Sequence, residues 1–237
     1  MSTAPVLRVA LIGLGKMGRA IAELAPARGA EIVGRIDRAH AVTRETLGGA
    51  DVAIEFTEPA AAPGNVRACL AAGCPVVVGT TGWLDALPEV EREVAARGGR
   101  LVWAANFSPG VNLFLRLAAE AGSLFHAADF GAAIVETHHA AKKDAPSGTG
   151  LALARAAGGP LGREIPITSV RVGHVPGTHE LTFDAPFEQV RLVHEARDRR
   201  VFADGALAAA RWLAAPRDAG VYTMQDVLAH PVQEVAP

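Results

Sequence analysis

Tyrosine occurs once in 237 residues and cysteine only twice. Two cysteines cannot build a disulfide framework. Cys69 and Cys74 have no histidine or further cysteine beside them, so they lack zinc-ligand spacing. Both read as small core residues of a protein in a reducing compartment. Long apolar runs are missing as well, since none reaches the roughly 18 residues that a membrane helix needs. Met1 to Leu7 has no cationic stretch followed by an apolar one. A secretory signal is therefore not expected, and a cytoplasmic protein that does not enter the membrane is. Charge of one sign is also scarce: 23 Lys plus Arg stand against 25 Asp plus Glu, a formal net charge of −2. That balance excludes a general basic surface for nucleic acid. Lysine itself is almost absent. Three of the 23 cationic residues are lysine (Lys16, Lys142 and Lys143) and the other 20 are arginine. Arginine keeps its proton near neutral pH, whereas lysine releases one when its pKa is lowered. The places that retain lysine are informative if they fall in motifs.

Half of the residues are hydrophobic and 20 % are charged, enough to bury a core. At about 150 residues per domain, the length suits one large domain or two small ones. The first half alternates strand-like and helical stretches. Strands are expected at Leu7–Ile12, Glu31–Ile36, Val52–Phe56, Pro75–Gly79 and Leu101–Ala104. Helices are expected over Met17–Arg28, Pro59–Ala72, with Pro59 in the first turn, and Leu84–Ala96. Short strands apolar on both faces and separated by helices predict a parallel sheet covered on both sides. The character changes at Asn106-Phe107-Ser108-Pro109-Gly110. A helix is expected over Val111–Leu124, a strand over Ala132–Glu136 and a helix from Gly148. Thr178–Asp184 and Glu188–His194 alternate, placing His179, Leu181 and Phe183 on one face, and Val190, Leu192 and His194 on another. These two strands predict an antiparallel sheet and a second, α+β, domain. Val201–Leu213 reads as a helix, and Thr223-x-x-Asp226 as the cap of a last short one.

Gly13-Leu14-Gly15-Lys16-Met17-Gly18 fits G-x-G-x-x-G, directly after an expected strand and opening an expected helix. The glycines allow a tight turn and close approach to a pyrophosphate, which the helix N-terminus then faces. Lys16 adds a cation. Asp37, 19 residues after Gly18, stands where an acid meets an adenosine ribose hydroxyl, and Arg38 where a 2′-phosphate would be met. The adjacent pair predicts that both NADH and NADPH are used. Gly79-Thr80-Thr81-Gly82 and Ala104-Ala105-Asn106-Phe107 follow the fourth and fifth strands, where ligands of such sheets bind. They read either as ordinary turns or as the nicotinamide side, with Phe107 able to stack on a ring. Two histidines and two lysines fall within Glu136-Thr137-His138-His139-Ala140-Ala141-Lys142-Lys143-Asp144, just before Ala145-Pro146-Ser147-Gly148-Thr149-Gly150. Histidine is the usual acid or base near pH 7, and a lysine crowded by cations donates a proton more readily. The helix that follows would bind a substrate carboxylate at its start. The plainer alternative is a solvated basic loop with Ser147 as a cap. Adjacent His138 and His139 point apart and are not expected to bind a metal. His179 and His194, on apolar strand faces, read as core histidines.

These motifs resemble the 4-hydroxy-tetrahydrodipicolinate reductases (dihydrodipicolinate reductases) of bacterial lysine biosynthesis. The resemblance runs nearly end to end. It takes in the glycine loop, Asp51 to Thr57, Gly79 to Gly82, Asn106 to Ser108, the signature E-x-H-H-x-x-K-x-D-A-P-S-G-T from Glu136 to Thr149, Phe202 to Ala206 and Gly220 to Thr223. It implies a Rossmann-type doubly wound domain over residues 1–107 with 200–237, and a substrate-binding and tetramerisation domain with a mixed sheet over 108–199. It implies NADPH or NADH as hydride donor and a cyclic imine dicarboxylate as substrate. By matching positions, His138 would be the general acid/base and Lys142 the proton donor. His139, Gly148 and Thr149 would hold the carboxylates. Gly13, Leu14, Gly15, Lys16, Met17, Asp37, Arg38, Gly79, Thr80, Thr81, Ala104, Ala105, Asn106 and Phe107 would hold the cofactor. The sequence departs from the family where residues 37–51 are trimmed, at Ala140 and Ala141, often polar or basic positions, and at Lys143, usually a valine. The first two of three rival readings would share the glycine loop without needing the His-His-x-x-Lys loop. The three are an L-aspartate dehydrogenase, a non-catalytic NADP sensor, or a relative that binds the dicarboxylate without reducing it.

Overall fold

In chain order the strands and helices are β1 (Leu7–Ile12), α1 (Lys16–Leu24), β2 (Ala30–Ile36), β3 (Val52–Glu55), α2 (Ala62–Ala72), β4 (Val76–Val78), α3 (Leu87–Arg97), β5 (Arg100–Trp103) and α4 (Pro109–Phe125). They continue with β6 (Gly131–His138), α5 (Gly148–Leu161), β7 (Ile167–Arg171), β8 (Thr178–Ala185), β9 (Glu188–Glu195), α6 (Arg200–Ala214), β10 (Gly220–Thr223) and α7 (Met224–Ala229). This is a computed structural model, and it describes residues 5–230. The chain divides into two units: residues up to Phe107 together with those from Arg200 onward, and Ser108–Arg199.

The first unit holds a six-stranded, wholly parallel sheet in the order β10-β5-β4-β3-β1-β2. Successive side chains of a strand point to opposite faces, and here both faces are covered. Val9, Leu11, Val77 and Val102 pack with Ile21 of α1 and Ala206, Ala210 and Leu213 of α6. Ala10, Ile12, Val76, Val78 and Leu101 pack with Val66 and Leu70 of α2 and Val90 and Val94 of α3. That double covering is why these strands read as unbroken apolar runs. The doubly wound sheet expected from the sequence is present.

Local boundaries differ where proline intervenes. The helix expected over Met17–Arg28 ends at Leu24, and Pro26–Arg28 form a separate 3-10 turn that closes on Gly29 at φ 61°. Pro59 does not open α2. It lies in a turn closed by Ala61 and Ala62 N–H donating to the Glu58 carbonyl, and Pro63 takes the first-turn position instead. Thr223 and Asp226 form the reciprocal cap that their spacing predicts.

The second unit holds a four-stranded sheet in the order β7-β6-β8-β9. β8 pairs antiparallel with β9, as the alternating pattern predicts, and also with β6, whereas β7 pairs parallel with β6. The sheet is therefore mixed, as the family resemblance implies, because α5 carries the chain back before β7 begins. One face packs on α4 and α5 through Ile134, Leu181, Phe183, Phe114 and Leu153. No helix among the described residues is long and apolar enough to cross a membrane.

Candidate active site

In the first unit, β1 runs into the glycine loop and α1 starts at Lys16. Gly15 is the N-cap residue. Among the described residues, no side chain caps α1 and a Cβ placed on Gly15 would meet nothing within 4 Å, and the first turn carries no acid. The helix start thus presents backbone N–H groups and open space together, which fits a phosphate group. Gly13, at φ 96°, needs to be glycine: a Cβ there would lie 2.0 Å from the Phe56 carbonyl oxygen. At the end of β2, Asp37 and Arg38 are both exposed. Asp37 Oδ1 accepts from Ala39 N–H (2.9 Å) and meets His40 Nδ1 at 2.7 Å, and these contacts hold its pKa down.

The loops after β4 and β5 contain more packing than the sequence suggests. Thr80 is buried, and its hydroxyl accepts from Thr57 N–H at 2.7 Å. Phe107 does not present a ring for stacking. It is 2 % exposed and packs edge-on to Phe56 with centroids 5.9 Å apart.

In the second unit, the inward face of the sheet changes character along its length. On β6 it passes from Ile134 to Glu136 and His138, all buried. Register brings Ser169 and Arg171 of β7 beside Glu136 and His138, and His179 of β8 beside Glu136. Glu136 is fully buried. Its Oε1 accepts from Arg171 Nη2 (2.8 Å), Ser169 Oγ (2.9 Å) and Ser147 N–H (2.9 Å), and its Oε2 from the Ser147 hydroxyl. Burial alone would raise its pKa, but the hydrogen bonds from Ser147, Arg171 and Ser169 outweigh it and bring it to about 2. The Ser147 hydroxyl also accepts from Gly150 N–H at 3.0 Å, capping α5.

Since that hydroxyl's one proton goes to Glu136, His179 Nε2, 3.1 Å away, must be a donor to Ser147 Oγ. Burial and His138 lower the His179 pKa to about 4, so near neutral pH the ring is the neutral imidazole with its proton on Nε2. His179 is buried, as the sequence reading expects, and its ring joins this hydrogen-bonded cluster. His138, its ring 5.0 Å from that of His179, has its pKa lowered, chiefly by burial, although Glu136 opposes the shift. Spacing alone would let Glu136, His138 and His179 surround a cation. The Arg171 guanidinium already sits on Glu136, and a like charge there opposes a metal ion.

Lys142 lies in the loop after β6. Its Nζ donates to both carboxylate oxygens of Asp144, at 2.7 and 2.8 Å. The expectation of a lysine crowded by cations is thus incomplete, since its nearest partner is an anion. His139, Ala140 and Ala141 line a cavity of about 500 Å³ with Gly173, His174, Pro176, Arg197, Asp198 and Arg199. Gly148 and Thr149 form the start of α5. The structure therefore gathers His138, His139, Lys142, Gly148 and Thr149 into one unit and adds Glu136, Arg171, Ser147 and His179. The R-x-G-x-x-x-G-x-H pattern from Arg171 to His179 was the available signal for two of these.

The buried carboxylate makes a testable contribution to stability. Its pKa is depressed from 4.5 to about 2, so the stabilisation is complete above the unfolded value and disappears as the pH falls through about 2. Its size is about 3 kcal/mol at full strength. The stability difference between the wild type and Glu136→Gln should shrink between about pH 6 and about pH 3 in urea titrations. A difference independent of pH would contradict it.

Residues 7–107 match the family described as dihydrodipicolinate reductase, N-terminus, and residues 110–228 that described as dihydrodipicolinate reductase, C-terminus. The 4-hydroxy-tetrahydrodipicolinate reductase of Acidiphilium cryptum is 40 % identical, over 94 % of this chain and 97 % of its own. That of Christiangramia forsetii is 36 % identical, over 94 % and 98 %. The dipicolinate-bound dihydrodipicolinate reductase of Paenisporosarcina sp. superposes with a TM-score of 0.78 at 22 % identity, over 92 % of this chain and 97 % of that one.

Proposed function

We propose that this chain, which belongs to the dihydrodipicolinate reductase family, reduces 4-hydroxy-tetrahydrodipicolinate to tetrahydrodipicolinate with loss of water, using a reduced pyridine nucleotide, in diaminopimelate and lysine formation. The observation that carries the reading is the cluster on β6 and the α5 start: an imidazole and a helix N-terminus beside one buried carboxylate, with an ammonium held on Asp144 in the loop that Arg171 ties to that carboxylate. Reduction of a conjugated cyclic imine dicarboxylate needs binding groups for two carboxylates and a proton source for the enamine carbon that hydride addition leaves. His139, Gly148 and Thr149 are the carboxylate-binding residues in this reading. His138 is the general acid/base, and Lys142 donates the proton once the substrate draws its ammonium from Asp144. Residues 108–199 are the substrate domain, and the remainder is the dinucleotide domain.

The nicotinamide, when bound, supplies the hydride. Gly13 to Met17 would bind its pyrophosphate at the start of α1. Gly79 to Thr81 and Ala104 to Phe107 would border its reactive end, with Thr80 and Phe107 shaping the pocket from within the packing. Asp37 serves the ribose hydroxyl of NADH and Arg38 the 2′-phosphate of NADPH. Arg38→Ala should shift the kcat/KM ratio toward NADH by about tenfold, the loss of one charge-assisted hydrogen bond. An unchanged ratio would remove Arg38 from that role.

The outward face of the second sheet supports a homotetramer. Val135, Val170 and Val193 are exposed on it, and Phe187, in the β8–β9 turn, is fully exposed. An apolar sheet face of this kind suits burial against further copies.

Coupled turnover tests the whole reading. Aspartate semialdehyde and pyruvate, with the aldolase that condenses them, generate the substrate in place. Oxidation of NADH or NADPH that requires both carbon substrates is expected. Nucleotide binding without oxidation would return the chain to the sensor or the aspartate dehydrogenase reading.

A further inference from the structure

We propose that Glu136 and Arg171 are a positioning pair for this reaction, fixing the Lys142 loop and the start of α5 to the sheet and setting the charge that His138 faces. The proposal rests on the reductase reading above, and the argument begins from connectivity. Arg171 Nη2 donates to Glu136 Oε1 at 2.8 Å and also to the Asp144 carbonyl. Asp144, through its carboxylate, grips Lys142. On its other side, Glu136 accepts from both the amide and the hydroxyl of Ser147, whose Oγ accepts from Gly150 N–H. Glu136 thus stands between two arms, one ending at the ammonium and the other at the first turn of α5.

Packing alone does not account for this arrangement. Apolar residues of equal volume often hold strands together as well as a buried ion pair does. They cannot reach a loop carbonyl, an amide and a hydroxyl at once. The small residue at Gly150 points the same way. A Cβ there would come within 2.6 Å of Glu136 Oε2, so α5 starts as close to the carboxylate as a glycine allows.

His138 lies among the same charges. Glu136 Oε1 is 4.0 Å from its Nδ1. Lys142 and Asp144 face it from the loop, Arg171 from β7 and the neutral His179 from β8. Glu136 and Asp144 favour the protonated imidazole, whereas Arg171 and Lys142 oppose it. Removing one member of the pair therefore moves the His138 titration one way, and removing the other moves it the opposite way.

Three variants of the full chain test this, with kcat, the cofactor KM and ring-proton NMR of His138 as readouts. Arg171→Lys keeps the cation and loses the second hydrogen bond. It should lower kcat about tenfold, with the cofactor KM and the His138 titration unchanged. Arg171→Met should lower kcat about 100-fold, the cost of a misplacement of roughly 1 Å, and move the titration to higher pH. Glu136→Gln should move it to lower pH. Displacements of opposite sign are not produced by a merely structural role. Wild-type kcat in folded Arg171→Lys and Arg171→Met, or the same titration in all three, would overturn the proposal. Arg171→Lys, which keeps Glu136 paired, decides alone should the other two fail to fold. If the wild type itself does not turn over, the reductase reading falls. The pair is then judged by binding of pyridine-2,6-dicarboxylate: tenfold weaker in Arg171→Met supports it, and equal affinity overturns it.

Discussion

Lys142→Ala and His138→Ala should each lower kcat by about 100- to 10,000-fold, the range for one placed proton-transfer group. The cofactor KM should stay near that of the wild type, because neither residue belongs to the unit that carries the glycine loop. The two substitutions reach this result by different physical routes. Lys142 is paired with Asp144, whose side chain is 58 % exposed, and an exposed pair of this kind contributes little to folding. Its loss is therefore a chemical loss, and the thermal midpoint of Lys142→Ala should match the wild type. His138 is buried, yet among the described residues its Nδ1 has no hydrogen-bond partner, so its removal strands no partner of that atom. What remains is the cost of the cavity. Steady-state kinetics over a pH series separates the two roles. Because burial lowers the His138 pKa, the limb that it governs should lie below the ordinary value of 6.5 and vanish in His138→Ala. Normal turnover in either variant would take that residue out of the mechanism.

What could be read from the sequence was what is local. β1 was legible to the residue because Val9, Leu11, Ala10 and Ile12 are buried alternately on two covered faces. The lysines at 142 and 143 stood out against an arginine-rich chain, and the His-His loop before Ser147 is one contiguous stretch. The sequence pattern does not delimit β7 and β10. Ile167–Arg171 alternates at an edge of its sheet, and Gly220–Thr223 is four half-buried residues whose strand character comes from parallel pairing with β5. The charged floor of the site was hidden for the same reason. Ser169 and Arg171 stand 33 and 35 residues from Glu136 in sequence, and only the β6–β7 register brings them together. Phe107 was misleading in the opposite sense. An aromatic residue after a strand looks available for stacking, but the space is taken by Phe56.

The glycine loop offers the other large effect, and two of its members should fail differently. In Gly13→Ala the new methyl group would lie 2.0 Å from the Phe56 carbonyl oxygen, at a φ of 96° that side chains avoid. Neither neighbour is free to give way. Phe56 N–H donates to Ile12 at 2.9 Å, tying β3 to the end of β1. A Cβ on Gly18 would in turn meet the Gly13 carbonyl at 2.1 Å, so α1 already lies against the loop. Gly13→Ala should therefore lose about 1–3 kcal/mol of stability and at least about tenfold in nucleotide affinity together. Gly15 is the control within the same motif. Its backbone is extended and a Cβ there meets no atom of the other described residues within 4 Å, so Gly15→Ala should melt as the wild type does. If the open space at Gly15 is where the pyrophosphate approaches the start of α1, the methyl group blocks it. Nucleotide affinity should then fall by about tenfold or more with the fold intact. Calorimetric binding of NADH and NADPH beside thermal melts would read both variants. Wild-type affinity in Gly15→Ala would mean that the turn merely joins strand to helix and that the dinucleotide is held elsewhere.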